Sequence, residues 1–316
     1  MPLPRRTSTA LGVFGAFAAG VIALLLLTQV GDHPLALLCA GILLVLVAHT
    51  LRSEQQSRRI HRRLDSVERI ARDARSSVAA LDRIETSISD TSQKKGLIRE
   101  LTKMSRRSFE QVQATINLFE MFEVDAYVPP MRVWAVSPDA VSLLVEEMLD
   151  VRPTLVVECG SGTSTMWLAL AAKQRGLTTR IVALDHSAEY AAKTNRLLER
   201  HGVADIAVAR VAPLVDVIGV DGTTQKWYDP AAIQDLDGIG LLFVDGPPAT
   251  VGSLARFPAL PHLWSKLTPA ASIVMDDMIR KDEREIVDLW VQAHPELRRE
   301  HYTTEKRTEI LRRRPA

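Results

Sequence analysis

Three carboxylates follow two apolar runs in the second half of the chain, where they could support chemistry. Asp245 ends the run at residues 241–244, and Asp276 and Asp277 end the run at 272–275. In an open α/β sheet, ligands lie beyond the carboxyl ends of the strands, so these acids are expected to converge. Crowded carboxylates repel one another unless a cation lies among them. Since carboxylate oxygens suit a hard divalent ion such as Mg²⁺, the sequence predicts a metal site at Asp245, Asp276 and Asp277.

A second interpretation of the three acids needs no metal. Asp276 and Asp277 could instead cap a turn, with Arg280 neutralising one of them as an ion pair. Asp245 would then act alone as a general base. The residues leave both interpretations open, and the metal site is the favoured prediction.

A glycine-rich turn marks a second region that could bind a ligand. Glu158 ends an apolar run, and Gly160 and Gly162 follow it in a Glu-x-Gly-x-Gly pattern. Glycine at these positions allows the backbone to approach a ligand closely. A dinucleotide fingerprint would need its third glycine at the position of Thr165, which disfavours a nicotinamide-dependent oxidoreductase.

The next apolar run ends in Asp185, which is followed by His186. A carboxylate at Asp185 could accept hydrogen bonds from both hydroxyls of a ribose, with capping of the next helix as the alternative role. His186 could contact an adenosine, with an ordinary surface position as the alternative. The predicted cofactor-binding residues are Glu158, Gly160, Gly162, Asp185 and His186.

The elements that must position these residues follow an alternating pattern, which is typical of a parallel α/β sheet. Strands are expected at residues 154–158, 180–185, 206–211, 240–245 and 272–276. Helices are expected at residues 164–174, 188–201, around 253–267 and 282–294. Residues 298–303 and 307–312 are expected to form a terminal antiparallel hairpin.

This combination of turn, acid and strand order resembles the class I S-adenosylmethionine-dependent methyltransferases, although Ser164 stands where many of them have a third glycine. The three later acids resemble those of metal-dependent O-methyltransferases of the catechol and macrolide-sugar types. A bacterial class I family shares the flanking patterns, which here are the Asp-Gly-Pro-Pro at 245–248, the segment 256–261 and an Asp-Asp-x-x-Arg that ends at Arg280. The resemblance covers residues 131–313.

The resemblance implies a Rossmann-like seven-stranded sheet with a C-terminal antiparallel hairpin. It also implies S-adenosylmethionine as the cofactor and methyl transfer to a hydroxyl of a small molecule or sugar, assisted by Mg²⁺ or another divalent cation. Trp134, Trp227 and Tyr228 are candidates for the wall of the acceptor site, although buried core positions are the alternative. A membrane-anchored assembly protein with a non-catalytic domain of the same fold is the second hypothesis.

The N-terminal region predicts attachment to a membrane. Residues 10–30 contain no charge and are long enough to span a hydrocarbon core of roughly 30 Å. Gly31 and Pro34 lie in a break that precedes a second apolar run at residues 35–48, which reaches a spanning length if residues 49–51 are included. Arginines flank both ends of the pair while the connection has none, which places both ends and the catalytic domain in the cytoplasm. A cleaved signal peptide is the alternative.

The remaining sequence divides into a stalk and a catalytic domain. Residues 1–51 are predicted as the two-helix membrane hairpin, residues 52–126 as a helical stalk and residues 127–316 as the methyltransferase domain. A heptad pattern at residues 60–81 indicates a coiled coil that could join copies of the chain, with a solvated single helix as the alternative. Residues 111–316 carry a net charge of −6, so nucleic acid is not an expected partner.

Overall fold

The computed structural model describes residues 91–132, 135–219 and 222–313. The predicted membrane hairpin and the predicted coiled coil lie outside the described residues. Within these ranges, no helix is both long enough and apolar enough to cross a membrane. The chain divides into two compact units, residues 1–101 and 102–316, and the second contains the sheet and every candidate site residue.

Six α-helices and nine strands make up the described part of the chain. The helices are α1 (Thr91–Met121), α2 (Pro138–Val151), α3 (Thr163–Gln174), α4 (Ala188–Arg200), α5 (Ala259–Leu263) and α6 (Lys281–Ala293). The strands are β1 (Leu155–Cys159), β2 (Arg180–Asp185), β3 (Ala207–Val211), β4 (Leu214–Ile218), β5 (Thr224–Tyr228), β6 (Ile239–Val244), β7 (Leu267–Met275), β8 (Leu297–Tyr302) and β9 (Thr308–Arg313).

Seven of the strands form one sheet, in the order β3-β2-β1-β6-β7-β9-β8. The first five run parallel, while β9 is antiparallel to both β7 and β8. The predicted sheet of five parallel strands and a terminal hairpin is therefore confirmed. Since β1 lies between β2 and β6, the strand order reverses at β1, which is where an α/β sheet opens a crevice for ligands.

Both faces of this sheet are covered by apolar side chains. Along β1, Val157 and Cys159 join the core on one face, whereas Val156 joins the core on the other. The first face packs against α5 and α6, and the second packs against α2 and α3. Burial on both sides explains why the parallel strands are continuous apolar runs in the sequence.

Three parts of the chain differ from the sequence-based expectations. Strand β7 begins at Leu267, five residues before the predicted start at residue 272. The helix expected around residues 253–267 is wrong in extent, because only α5 and a following 3-10 turn (Trp264–Lys266) form there. Pro258 and Pro261 lack the N–H group that a longer helix would need, which limits the helix. The pair β4 and β5 was not predicted; it forms a separate antiparallel hairpin between β3 and β6.

Candidate active site

The carboxyl ends of four parallel strands bring most of the predicted site residues to one edge of the sheet. Glu158 lies near the end of β1, and Asp185 is the last residue of β2. Asp245 directly follows β6, while Asp276 and Asp277 directly follow β7. The candidate site therefore lies at the crevice that the strand order creates.

The glycine turn after β1 is bonded to both neighbouring strands. Gly160 donates its N–H to the carbonyl oxygen of Leu184 at 2.9 Å, and Asp245 donates its N–H to the carbonyl of Cys159 at 3.0 Å. Gly160 has a φ of +106°, a conformation that favours glycine. A Cβ built at Gly162 would meet no atom within 4 Å, so open space lies next to this turn.

Glu158 is a buried acid with one oxygen that lacks a hydrogen bond. Its Oε2 accepts hydrogen bonds from the hydroxyls of Ser164 at 2.8 Å and Thr165 at 3.2 Å. Its Oε1 is buried and has no partner among the described residues. Burial raises the pKa of Glu158 to about 8, although the two hydroxyl donors oppose the shift. A buried polar atom without a partner is uncommon in a native protein and points to a ligand or to water.

Asp185 is held in place by its own surroundings. Ser161 donates its hydroxyl to Oδ2 at 2.7 Å, and the N–H of Ser187 donates to Oδ1 at 2.9 Å. His186 lies beside it, with Nδ1 3.8 Å from Asp185 Oδ1 and 37% of its side chain exposed. Ser187 rather than Asp185 is the N-cap residue of α4. Ser161 is a site residue that sequence reasoning did not single out.

The three later acids, which we call the acid cluster, converge as the sequence predicts. One carboxylate oxygen from each of Asp245, Asp276 and Asp277 lies within 4.8 Å of the others. Asp276 and Asp277 are buried, whereas 20% of the Asp245 side chain is exposed. Asp245 is thus the member of the acid cluster that a molecule in the crevice can reach most easily.

Arg256 reaches the acid cluster from the irregular segment between β6 and β7. Its Nη2 lies 2.8 Å from Asp277 Oδ2 and 3.2 Å from Asp245 Oδ1, and only 4% of its side chain is exposed. Its Nη1 donates to the carbonyl oxygen of Asp276 at 3.3 Å. Arg256 begins the family pattern at residues 256–261, but its contact with the acid cluster was not predicted from the sequence.

Two further cations lie against Asp277. Arg280 Nη1 is 2.9 Å from Asp277 Oδ2, which is the ion pair that the second interpretation of the acids expected. Lys306 Nζ, from the turn between β8 and β9, is 3.5 Å from Asp277 Oδ1. The same hairpin provides Thr308, whose hydroxyl donates to Asp276 Oδ1 at 3.3 Å.

The surroundings separate the pKa values of the three acids. Burial raises the pKa of Asp245 to about 7, against the opposing effect of Arg256. Burial and then the neighbouring Asp277 raise the pKa of Asp276 to about 6. Burial would also raise the pKa of Asp277, but Arg256, Lys306 and Arg280 together hold it below its usual value. Asp277 is therefore the acid of the cluster that most favours the charged form.

The turn of the C-terminal hairpin contacts both the segment before α2 and the first turn of α2. Arg132 Nη2 lies 2.6 Å from Glu305 Oε1, and the N–H of Glu305 donates to Asp139 Oδ2 at 2.7 Å. Trp134 lies outside the described residues. Trp227 and Tyr228 are both buried, in agreement with the core alternative for these two aromatic residues.

A family model described as a methyltransferase domain matches residues 157–278. These residues are therefore similar to a methyltransferase domain. The matched segment contains the glycine turn, Asp185 and the whole acid cluster. No curated protein matches the sequence.

Solved structures with a similar fold include several methyltransferases. An O-methyltransferase from Bacillus cereus in complex with SAH has a TM-score of 0.45 and 18% identity, covering 65% of this chain and 88% of that chain. The O-methyltransferase TomG from Streptomyces achromogenes, in complex with SAM, has a TM-score of 0.42 and 16% identity over 64% of this chain and 88% of its own. A methyltransferase from Geobacter sulfurreducens has a TM-score of 0.44 and 16% identity over 57% of this chain and 82% of its own.

Proposed function

We propose that this protein transfers a methyl group from S-adenosylmethionine to a hydroxyl oxygen of a small molecule or sugar. The observation that carries the proposal is the arrangement at one edge of the sheet. There the glycine turn, Asp185 and Asp245 follow three neighbouring strands, inside the segment that matches a methyltransferase domain.

The residues around the glycine turn fit this cofactor. Open space lies beside Gly162, and Glu158 Oε1 is buried without a hydrogen-bond partner in the described part of the chain. Gly160, Gly162 and Glu158 would hold the methionine part of the cofactor. Asp185 would accept hydrogen bonds from the ribose hydroxyls, because each of its oxygens has a lone pair left after its bonds to Ser161 and Ser187. His186 would lie beside the adenosine.

The bound cofactor supplies a methyl group on a positively charged sulfur. Asp245 would accept the proton of the acceptor hydroxyl while the hydroxyl oxygen takes the methyl group, so that the products are the methyl ether, S-adenosylhomocysteine and a protonated Asp245. Asp245 is the most exposed acid of the cluster, and a pKa of about 7 suits a general base at neutral pH. Its backbone N–H is bonded to Cys159, which fixes it next to the glycine turn.

A divalent cation at Asp245, Asp276 and Asp277 is the second candidate for activation of the acceptor. Such an ion would lower the pKa of the bound hydroxyl. It is favoured by the short separation of the three carboxylates and by Asp276 Oδ2, which is buried without a hydrogen-bond partner among the described residues. The position of Arg256 weighs against it, because its Nη2 already contacts Asp245 and Asp277.

The N-terminal region would attach this activity to a membrane. We propose that residues 1–51 span the membrane twice, that residues 127–316 face the cytoplasm, and that the stalk can join copies of the chain. The supporting observations are the uncharged run at residues 10–30 and the flanking arginines.

The proposal is tested by a search for methylated products. Purified protein is incubated with S-adenosylmethionine carrying an isotope-labelled methyl group and with fractionated small-molecule extracts, and products are detected by mass spectrometry. We expect label on a hydroxyl oxygen of a small molecule. Asp245→Asn, which cannot accept the proton, should reduce turnover by roughly 100-fold or more while leaving cofactor binding intact.

Calorimetry on the same protein separates the enzyme from the assembly-protein alternative. Binding of S-adenosylmethionine without labelled products from any fraction would favour a non-catalytic domain. Binding of a nicotinamide dinucleotide in place of S-adenosylmethionine would overturn the methyltransferase assignment.

A further inference from the structure

Arg256 links the ends of β6 and β7 through a single nitrogen. Its Nη2 is close both to Asp277 Oδ2, at 2.8 Å, and to Asp245 Oδ1, at 3.2 Å. The guanidinium is almost completely buried, and Nη1 is fixed by the carbonyl oxygen of Asp276. A charged side chain is rarely buried unless it is paired, so these contacts account for its position.

Nη2 lies where a cation shared by Asp245 and Asp277 would lie. A divalent ion binds carboxylate oxygens at about 2.0–2.6 Å, and Nη2 already contacts one oxygen of each of these two carboxylates. The ion would therefore have to displace Nη2 or lie directly beside a fixed positive charge. The buried charge of Arg256 therefore opposes a divalent ion shared by Asp245 and Asp277.

The charges around the acid cluster are also nearly balanced without an ion. Glu283 adds a fourth buried acid, with Oε1 3.8 Å from Arg256 Nε. Three cations, Arg256, Arg280 and Lys306, oppose these four acids. The mutual repulsion that led the sequence analysis to predict a metal is therefore offset by side chains of the protein itself.

We propose that Arg256 is the resident cation of the acid cluster, that it takes the place of a divalent ion between Asp245 and Asp277, and that the protein works without a bound metal. Arg256 acts as a positioning residue, because it holds Asp245 through Oδ1 and leaves Oδ2 to face the acceptor. The positioning role of Arg256 in catalysis rests on the proposed methyl transfer. The proposal that Arg256 replaces a metal ion does not depend on it.

The test is direct measurement of Mn²⁺ binding to the purified full-length chain, by the loss of the free-ion signal in electron paramagnetic resonance. The wild-type protein should bind no stoichiometric Mn²⁺. Arg256→Gln should gain a stoichiometric Mn²⁺ site, with an affinity roughly tenfold or more above any residual binding by the wild-type protein, since it frees two carboxylate oxygens and removes an adjacent positive charge. Arg256→Lys, which keeps the charge, should show little gain.

Arg280→Gln is the matched control. It also removes a cation that contacts Asp277 Oδ2, but its side chain is 41% exposed and it leaves Arg256 between Asp245 and Asp277. We expect no gain of Mn²⁺ binding in this variant. A gain equal to that of Arg256→Gln would mean that overall charge, rather than the position of Arg256, controls metal binding, and the proposal would be overturned.

Stoichiometric Mn²⁺ binding by the wild-type protein would by itself overturn the proposal. The test therefore remains decisive even if Arg256→Gln does not fold. A folded Arg256→Gln that gains no Mn²⁺ affinity would overturn it as well. S-adenosylmethionine binding, measured on the same preparations, reports on the proposed function alone. If the wild-type protein does not bind S-adenosylmethionine but the Mn²⁺ results are as expected, the proposed methyl transfer is rejected. The proposed role of Arg256 as the resident cation is then retained.

Discussion

Glu158 combines complete burial with a carboxyl group that resists ionisation. Burial raises its pKa to about 8, whereas an ordinary glutamate titrates near 4.5. The folded state therefore holds this proton over a pH range in which the unfolded state has released it. By linkage, the stabilising contribution of the neutral form is fully present below about pH 4.5 and is lost as the pH rises through 8.

Glu158→Gln keeps the shape of the neutral side chain and removes the titration. We expect its free energy of unfolding, relative to wild type, to improve between pH 5 and pH 9 by up to ~1.4 kcal/mol per pH unit, the limit for one proton. Urea denaturation across this pH range measures the difference in free energy of unfolding between the variant and the wild type. The titrations of other groups cancel in this difference. Glu189→Gln is the control, because Glu189 is exposed and Lys193 lowers its pKa. Parallel profiles for wild type and Glu158→Gln would contradict the pKa assignment.

Among the individual site residues, the sequence predicted which acids lie close together, but it did not predict the cation that lies between them. Asp245, Asp276 and Asp277 were predictable because each follows a buried strand, and neighbouring parallel strands end at one edge. Arg256 was not, because its side chain reaches the acids from an irregular segment that has no periodicity. The contact of Lys306 with Asp277 was also not predicted, since it depends on how the C-terminal hairpin is placed.

Among the elements, strands were predicted more accurately than the segments between them. The boundaries of β2 were predicted to the residue, and those of β1, β3 and β6 to within one residue. The start of β7 was predicted five residues too late. These strands are apolar runs that are bounded by polar or turn-forming residues. The β4–β5 hairpin was missed because it has mixed polar and apolar residues that match no long pattern, and its position is fixed by packing of Trp227 and Tyr228 into the core.

The β4–β5 hairpin also supports the turn after β6. Tyr228, at the end of β5, reaches beneath Gly246, where an added Cβ would lie 2.5 Å from the Tyr228 hydroxyl oxygen, 3.1 Å from the Cys159 carbonyl oxygen and 3.2 Å from the Gly160 nitrogen. Gly246 thus lies directly against the end of β1, the glycine turn and the end of β5.

Gly246→Ala should consequently lower the free energy of unfolding by about 1–3 kcal/mol, the usual cost of overpacking. In a Tyr228→Phe background the same change should cost less, because the nearest atom is gone. A double-mutant cycle in urea should give a coupling of about 1 kcal/mol. Gly252→Ala, where an added Cβ would meet nothing within 4 Å, should be nearly neutral. Additive effects of Gly246→Ala and Tyr228→Phe would show that the hydroxyl is not the obstacle.

For the whole molecule, the N-terminal region yields a prediction about location. Residues 10–30 and 35–51 are expected to keep the full-length chain in the membrane pellet through high-salt and alkaline washes, because buried apolar helices resist both. Fractionation followed by immunodetection measures this, and removal of residues 1–51 should release the remaining chain. Recovery of a mature form that begins after residue 30 would instead identify the first segment as a cleaved signal.

The C-terminal strand leads the chain away from the candidate site. The turn between β8 and β9 lies against the start of α2, where the N–H of Glu305 donates to Asp139. Strand β9 begins next to Asp276 and runs antiparallel to β7, so that Arg312 pairs with Ser272 at the far end of the sheet. A fluorescent label or fusion partner attached after Arg313 would therefore lie away from the crevice, and an immobilised form held by that end would keep its candidate site open to solution.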